Sequence, residues 1–72
     1  MKEKDMYTRS VERALDILEC FCDNDELTLN EIAHNTKLSA TTVLRIINSL
    51  QKRGYVNRNL ENKKYYLGSA FN

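Results

Sequence analysis

The sequence predicts a mainly α fold closed by a small β-hairpin, a winged helix-turn-helix of three helices and a wing. Three observations predict it. Apolar residues recur at three- and four-residue steps in three separate segments, each segment opens on a serine or threonine able to cap a helix, and beyond Gly54 the period shortens to that of strands. With 72 residues the chain makes one small domain whose core is near the lower limit for independent stability.

Ser10 is placed to cap the first helix, whose apolar positions Val11, Ala14, Leu15, Leu18, Phe21 and Cys22 carry it to about Asp23. Wrapped at 100° per residue these positions form one stripe, and Ile17 and Cys20 fall outside it. The helix therefore has more apolar surface than one core contact needs. A second partner surface explains this, and so does ordinary half-exposure of scattered apolar residues. Residues 1–9 mix Lys2, Lys4 and Arg9 with Glu3 and Asp5 and are expected to be flexible. They lack the apolar core of a secretory signal, and no apolar run approaches the roughly 20 residues that cross a bilayer, so a cytoplasmic location without a membrane partner is expected.

Leu27-Thr28-Leu29 is too short for more than a scrap of strand, but Thr28 and Glu31 stand at the spacing of a capping box and start a brief second helix with Leu29, Ile32 and Ala33 inward. Lys37 and Leu38 turn the chain, with Leu38 plugging the corner, and Ser39 caps the third helix. There Val43, Ile46, Ile47 and Leu50 share one side, and Gly54 supplies the left-handed residue that ends it. Residues 55–59 and 64–67 then read as strands around a loop at 60–63, with β-favouring tyrosines on both sides. The wing is this hairpin.

The net charge of +1 hides an asymmetry. Residues 1–36 carry nine acidic and four basic side chains, residues 37–72 seven basic and one acidic, and none of the residues 37–60 is a carboxylate. A surface that faces a polyphosphate needs this, because each misplaced acid repels the backbone. On the third helix the side opposite the core presents Arg45 and Lys52, with Thr41 and Asn48 beside them and Thr42 and Leu44 on the flanks. Arg45 suits a guanine edge or a phosphate, Asn48 suits adenine, and Thr41 or Thr42 suits a phosphate or a thymine methyl. Leu44 either meets thymine methyls or leans back onto the first helix. Ser39 and Ala40 open the helix and complete this candidate set. Arg58, Lys63 and Lys64 of the wing would lie along the sugar-phosphate backbone if the third helix lay in the major groove.

Taken in order, the segments RSVERALDILECF, LTLNEIAHNTKLSATTVLRIINSLQKRGYV and KYYLGSAF resemble the N-terminal winged helix-turn-helix domain of the IclR family of bacterial transcription regulators. The most specific parts are the start Val11-x-Arg13-Ala14-Leu15-x-x-Leu18, the run Glu31-Ile32-Ala33, the stretch Thr42-Val43-x-Arg45-x-Ile47-x-x-Leu50, and Arg53-Gly54-Tyr55-Val56 followed by Tyr65-x-Leu67-Gly68. The resemblance implies a repressor or activator that binds a near-palindromic operator in double-stranded DNA as a dimer or tetramer. It also implies a larger C-terminal domain that senses a small-molecule effector. This chain stops about where the family's linker helix begins, so the resemblance implies an excised DNA-binding domain of residues 10–72 or else a truncated stand-alone regulator, with the effector acting only through a domain absent here. Carried over by position, Thr41, Thr42 and Arg45 match reading-helix contacts and Arg13 matches a phosphate contact near the start of the first helix. The surplus apolar surface around Ile17 and Cys20 agrees with a homodimer through the first helix.

The chain departs from the family pattern at two turns, where Lys37 and Lys63 stand at positions usually held by glycine. A left-handed Lys37 would cost about 1–2 kcal/mol. Ser39 replaces a frequent proline and is itself a sound cap.

No enzyme is visible. Ser39, Thr41 and Thr42 have no histidine or paired carboxylate placed as a base, and Gly54 and Gly68 build no phosphate loop. Cys20 and Cys22 point to different sides of one helix, and with His34 as the remaining soft ligand they assemble no metal site, so neither metal nor cofactor is expected. A winged helix also serves as a protein-interaction module, a different class of function, but that use calls for an apolar or mixed-sign reading face. RNA is disfavoured because Tyr55, Tyr65 and Tyr66 are wanted for packing and leave no stacking platform.

Overall fold

The computed structural model describes residues 6–71, and its element order is the expected one: helix α1 (Arg9–Glu19), helix α2 (Leu29–Thr36), helix α3 (Ala40–Lys52) and an antiparallel hairpin of β1 (Val56–Arg58) and β2 (Tyr65–Leu67). A 3-10 turn, Cys20–Cys22, extends α1, and another, Ser69–Phe71, follows β2. Of the segment expected to be flexible, residues 1–5 lie outside those described, while Arg9 is already helical.

The start of α1 corrects the reading of Ser10. Thr8 is the N-cap residue, without a side-chain cap hydrogen bond, and the backbone carries the start through Glu12 N–H donating to the Thr8 carbonyl at 3.0 Å. The inward face of α1 is also rotated from the expected stripe. Ile17 is wholly buried and Phe21 nearly so, Cys20 packs against the core, and Val11 and Leu15 stand out in solvent. The physical reason is that apolar residues spread over an arc of α1 wider than one packing stripe. Sequence spacing locates the arc but not the half of it that the other helices cover.

The capping box of α2 forms as read. Thr28 Oγ1 accepts from Glu31 N–H at 3.1 Å, and the Glu31 carboxylate accepts from Thr28 N–H at 2.8 Å. At its other end Lys37 takes the left-handed conformation, φ 62° and ψ 28°, and both the Lys37 and Leu38 amides donate to the Ala33 carbonyl. Leu38 packs on the core from this corner. Ser39 caps α3, accepting from Thr42 N–H at 3.1 Å. At the far end Tyr55 N–H donates to Leu50 and Gly54 N–H to Gln51, a Schellman pattern that needs the positive φ of 85° found at Gly54.

Val56 pairs with Leu67, Asn57 with Tyr66 and Arg58 with Tyr65 across the hairpin. The strands are shorter than the sequence suggests because the chain turns tightly between Asn59 and Lys64. Leu27 adds a third rail, with its N–H and carbonyl both bonded to Tyr65, at 2.9 and 2.7 Å. The core gathers Ile17, Phe21, Leu27, Ile32, Val43, Ile47, Val56 and Tyr65, with one or two residues from each α-helix and each strand. That arrangement holds α3 between the other helices and the wing, with one side left open.

Candidate nucleic-acid interface

Because Val43 and Ile47 are fully buried, the opposite side of α3 must face solvent, and Thr41, Leu44, Arg45, Asn48 and Lys52 are all exposed there. Leu44 is 39% exposed, which favours the outer of the two positions left open for it. Ala40 is exposed at the first turn of α3. Thr42 is half-buried and tied down, since Ser39 Oγ donates to Thr42 Oγ1 at 2.9 Å. A hydroxyl that accepts from its neighbour keeps its own proton for a partner such as a phosphate oxygen.

The structure brings Arg13 of α1 to Thr42 and Arg45 of α3. All three line an open cleft of about 420 Å³, together with Ser10, Ser49, Ala14, Ile46 and Leu50. Two guanidiniums and three hydroxyls stand over an apolar floor, with no carboxylate among the lining residues. Such a donor set matches the chemistry of a phosphate diester. Ser10, read from sequence only as a helix cap, and Ser49 are not among the contacts expected from sequence, although Ser49 lies four residues past Arg45, on the same side of the helix.

The wing residues are placed less uniformly than expected. Lys63 is exposed at the tip with a positive φ of 61°. Arg58 is exposed too, but its guanidinium lies 5.7 Å from the centre of the Tyr65 ring, its cross-strand partner. Lys64 is half-buried, and its charge reaches back toward α2. The Glu31 carboxyl is held below the usual carboxylate range first by the Thr28 N–H, then by the Thr28 hydroxyl and the Lys64 ammonium.

Among the described residues no group of three or more His, Cys, Asp or Glu side chains could hold a metal ion. Cys20 donates to the Asp16 carbonyl at 3.4 Å, and burial, with the charges of Asp16 and Glu19, pushes its thiol up and away from the thiolate a nucleophile needs. No helix among the described residues is long and apolar enough to cross a membrane.

This geometry agrees with the comparisons to known proteins. A family model described as the IclR helix-turn-helix domain matches residues 10–60. The chain belongs to the IclR family. The regulator XynR of Escherichia coli (strain K12) is 43% identical over 61 residues, covering 83% of this chain and 24% of XynR, and BhcR of Paracoccus denitrificans (strain Pd 1222) is 33% identical over 60 residues, covering 83% of this chain and 22% of BhcR. Both are named as helix-turn-helix transcriptional regulators. Among solved structures, an IclR family regulator from Brucella abortus superposes with a TM-score of 0.88 at 30% identity, covering 96% of this chain and 27% of the other. The IclR-family protein RHA1_ro06953 from Rhodococcus sp. gives 0.81 at 33% identity, covering 88% of this chain and 25% of the other. The chain spans about a quarter of the length of the relatives it matches. It is a winged helix-turn-helix DNA-binding domain of the IclR type, and its relatives are transcription regulators, not enzymes.

Proposed function

We propose that this IclR domain reads a near-palindromic operator by seating α3 in the major groove and laying the wing on the neighbouring backbone, as one of a symmetric pair. The carrying observation is the exposed, carboxylate-free side of α3, with Arg45 beside Arg13 in one cleft. A helix held by its inner face and offering donors on its outer one is the element that fits a groove about 12 Å wide. In this reading Arg13, Thr42 and Lys52 hold phosphates, Ser39 orients the Thr42 hydroxyl, Thr41, Leu44, Arg45 and Asn48 face base edges, and Ala40 allows the helix start to approach closely. Arg58, Lys63 and Lys64 follow the backbone.

The pair forms through α1, but on a different patch from the one the sequence suggested. Ile17 and Cys20 serve the core, while Val11 and Leu15, 54% and 46% exposed, lie one turn apart with Tyr7 before them at 58%. A second copy meeting this line would set two α3 helices on one face of the duplex, which is what an inverted repeat requires. Any response to a small-molecule effector belongs to parts of IclR regulators outside the stretch spanned here. A domain that acts on chromosomal operators would work in the cytoplasm.

Selection from a random duplex pool at fixed salt, followed by sequencing of the bound fraction, tests this reading. Enrichment of an inverted repeat is expected. Enrichment of single half-sites would remove the pairing through α1, and absence of enrichment would remove sequence reading and turn attention to a protein-binding role.

A further inference from the structure

We propose that Glu26, in the loop before α2, is the positioning residue of the wing: its carboxylate fixes the turn that carries Lys63 and Lys64. The proposal rests on the reading in which the wing meets the DNA backbone.

The turn between β1 and β2 is built on the side chains of two asparagines. Asn59 Oδ1 accepts from Glu61 N–H at 2.9 Å, and Asn62 Oδ1 accepts from Lys64 N–H at 2.9 Å. Each asparagine then has its amide group left to place, and both amides go to Glu26. Asn62 Nδ2 donates to Oε1 at 3.0 Å and Asn59 Nδ2 donates to Oε2 at 3.5 Å. One carboxylate thus orients both amides, and each amide in turn fixes a backbone N–H of the turn. Lys63 sits between these two braces in a left-handed conformation that a lysine does not favour by itself.

The position of Glu26 explains why it can act in this way. Leu27, the next residue, is bonded through its backbone to Tyr65 of β2, so the base of the wing and its brace belong to the same short segment. Glu26 is half-buried, whereas Lys63 is exposed. An acid near a DNA-facing element would by charge alone weaken binding. Here the carboxylate is engaged by two amides, and its structural effect is to hold two cations in place. The pattern is invisible in sequence because Glu26 lies 33 and 36 residues from its partners.

A double-substitution cycle tests the proposal, with binding of a random-sequence 20-base-pair duplex measured over a range of salt. Glu26→Ala is expected to reduce affinity several-fold and to lower the salt slope, by about 0.9 for each phosphate contact that is lost. In a Lys63→Ala/Lys64→Ala background the same change is expected to cause no loss of affinity and no fall in slope. Glu26→Gln, which keeps one acceptor oxygen for two donors, should fall between. Nuclear magnetic resonance of the Asn59 and Asn62 side-chain amides should show both moving toward solvent-exposed values in Glu26→Ala, with the α3 signals unchanged. Tighter binding by Glu26→Ala in both backgrounds would make the residue a simple repulsive charge. An equal loss in both backgrounds with an unchanged slope would make it only a stabilising contact. Either result overturns the proposal alone. If the lysine substitutions themselves leave affinity and slope unchanged, the wing–backbone reading falls and the role of Glu26 falls with it.

Discussion

A β-carbon on Gly68 would lie inside contact distance of the Gly54 carbonyl oxygen, so the end of the wing is pressed against the end of the reading helix. The two segments are also bonded, Gly68 N–H to the Tyr55 carbonyl at 2.9 Å and Ala70 N–H to the Gly54 carbonyl at 3.1 Å. The two glycines are needed for different reasons. Gly68→Ala meets backbone, which cannot rotate aside, and is expected to cost about 1–3 kcal/mol, as overpacking does. Gly54→Ala has room, its nearest neighbour being Ala70 Cβ at 3.9 Å, but must hold a φ of 85°, at about 1–2 kcal/mol. Urea denaturation of both variants checks this. An unchanged midpoint for Gly68→Ala would contradict the close approach.

Contacts to phosphate and contacts to bases should separate in binding measurements. Arg13→Ala and Lys63→Ala are expected to weaken all duplexes alike and to lower the salt slope by about 0.9 each. Asn48→Ala is expected to lose about 1–3 kcal/mol of discrimination at one base pair of a selected operator, with little change in slope. Arg45→Ala should reduce operator affinity at least about tenfold, the effect of losing a bidentate contact. Unchanged operator affinity in Arg45→Ala would remove that residue from the interface.

The left-handed Lys37 offers a stabilising substitution. Lys37→Gly relieves about 1–2 kcal/mol of backbone strain. It also returns about 0.4–1 kcal/mol of conformational freedom to the unfolded chain, so the expected net gain lies between about 0 and 1.6 kcal/mol. In a domain of this size the melting temperature should rise by a few degrees, roughly 4–8 °C per kcal/mol. Calorimetry of the variant reads this directly, and a lower melting temperature would mean that Lys37 makes a compensating contact.

Most of the fold was legible because local signals and tertiary packing agree. The boxed Thr28 and Glu31, the capping Ser39 and the left-handed Gly54 each act within a few residues of themselves, and the charge run marks the open side of α3. What was not legible depended on distant partners. Ser10 lost the cap to Thr8, and Ile17 moved from surplus to core because α2, α3 and the wing choose which part of the apolar arc of α1 they cover. The meeting of Arg13 with Arg45 and the bracing of the wing by Glu26 join residues far apart in the chain, with no local pattern to announce them.

Acid should remove the contribution that the Glu31 carboxylate makes to stability. The Glu31 carboxyl is held below the usual range by the Thr28 N–H, so its contribution to stability is complete above the unfolded value of about 4.3. As pH falls below that value, the unfolded chain takes up the proton first and the contribution fades until the folded carboxyl is protonated as well. Glu31→Gln keeps an acceptor for Thr28 but does not titrate. Everything else is common to the two proteins, so the difference between the two melting curves isolates Glu31. The parent chain is expected to match or exceed Glu31→Gln in melting temperature near neutral pH, where its charge favours the helix start. It should then lose that advantage between about pH 5 and the lowered folded value. Parallel melting temperatures through this window would mean that the capping box contributes nothing through its charge.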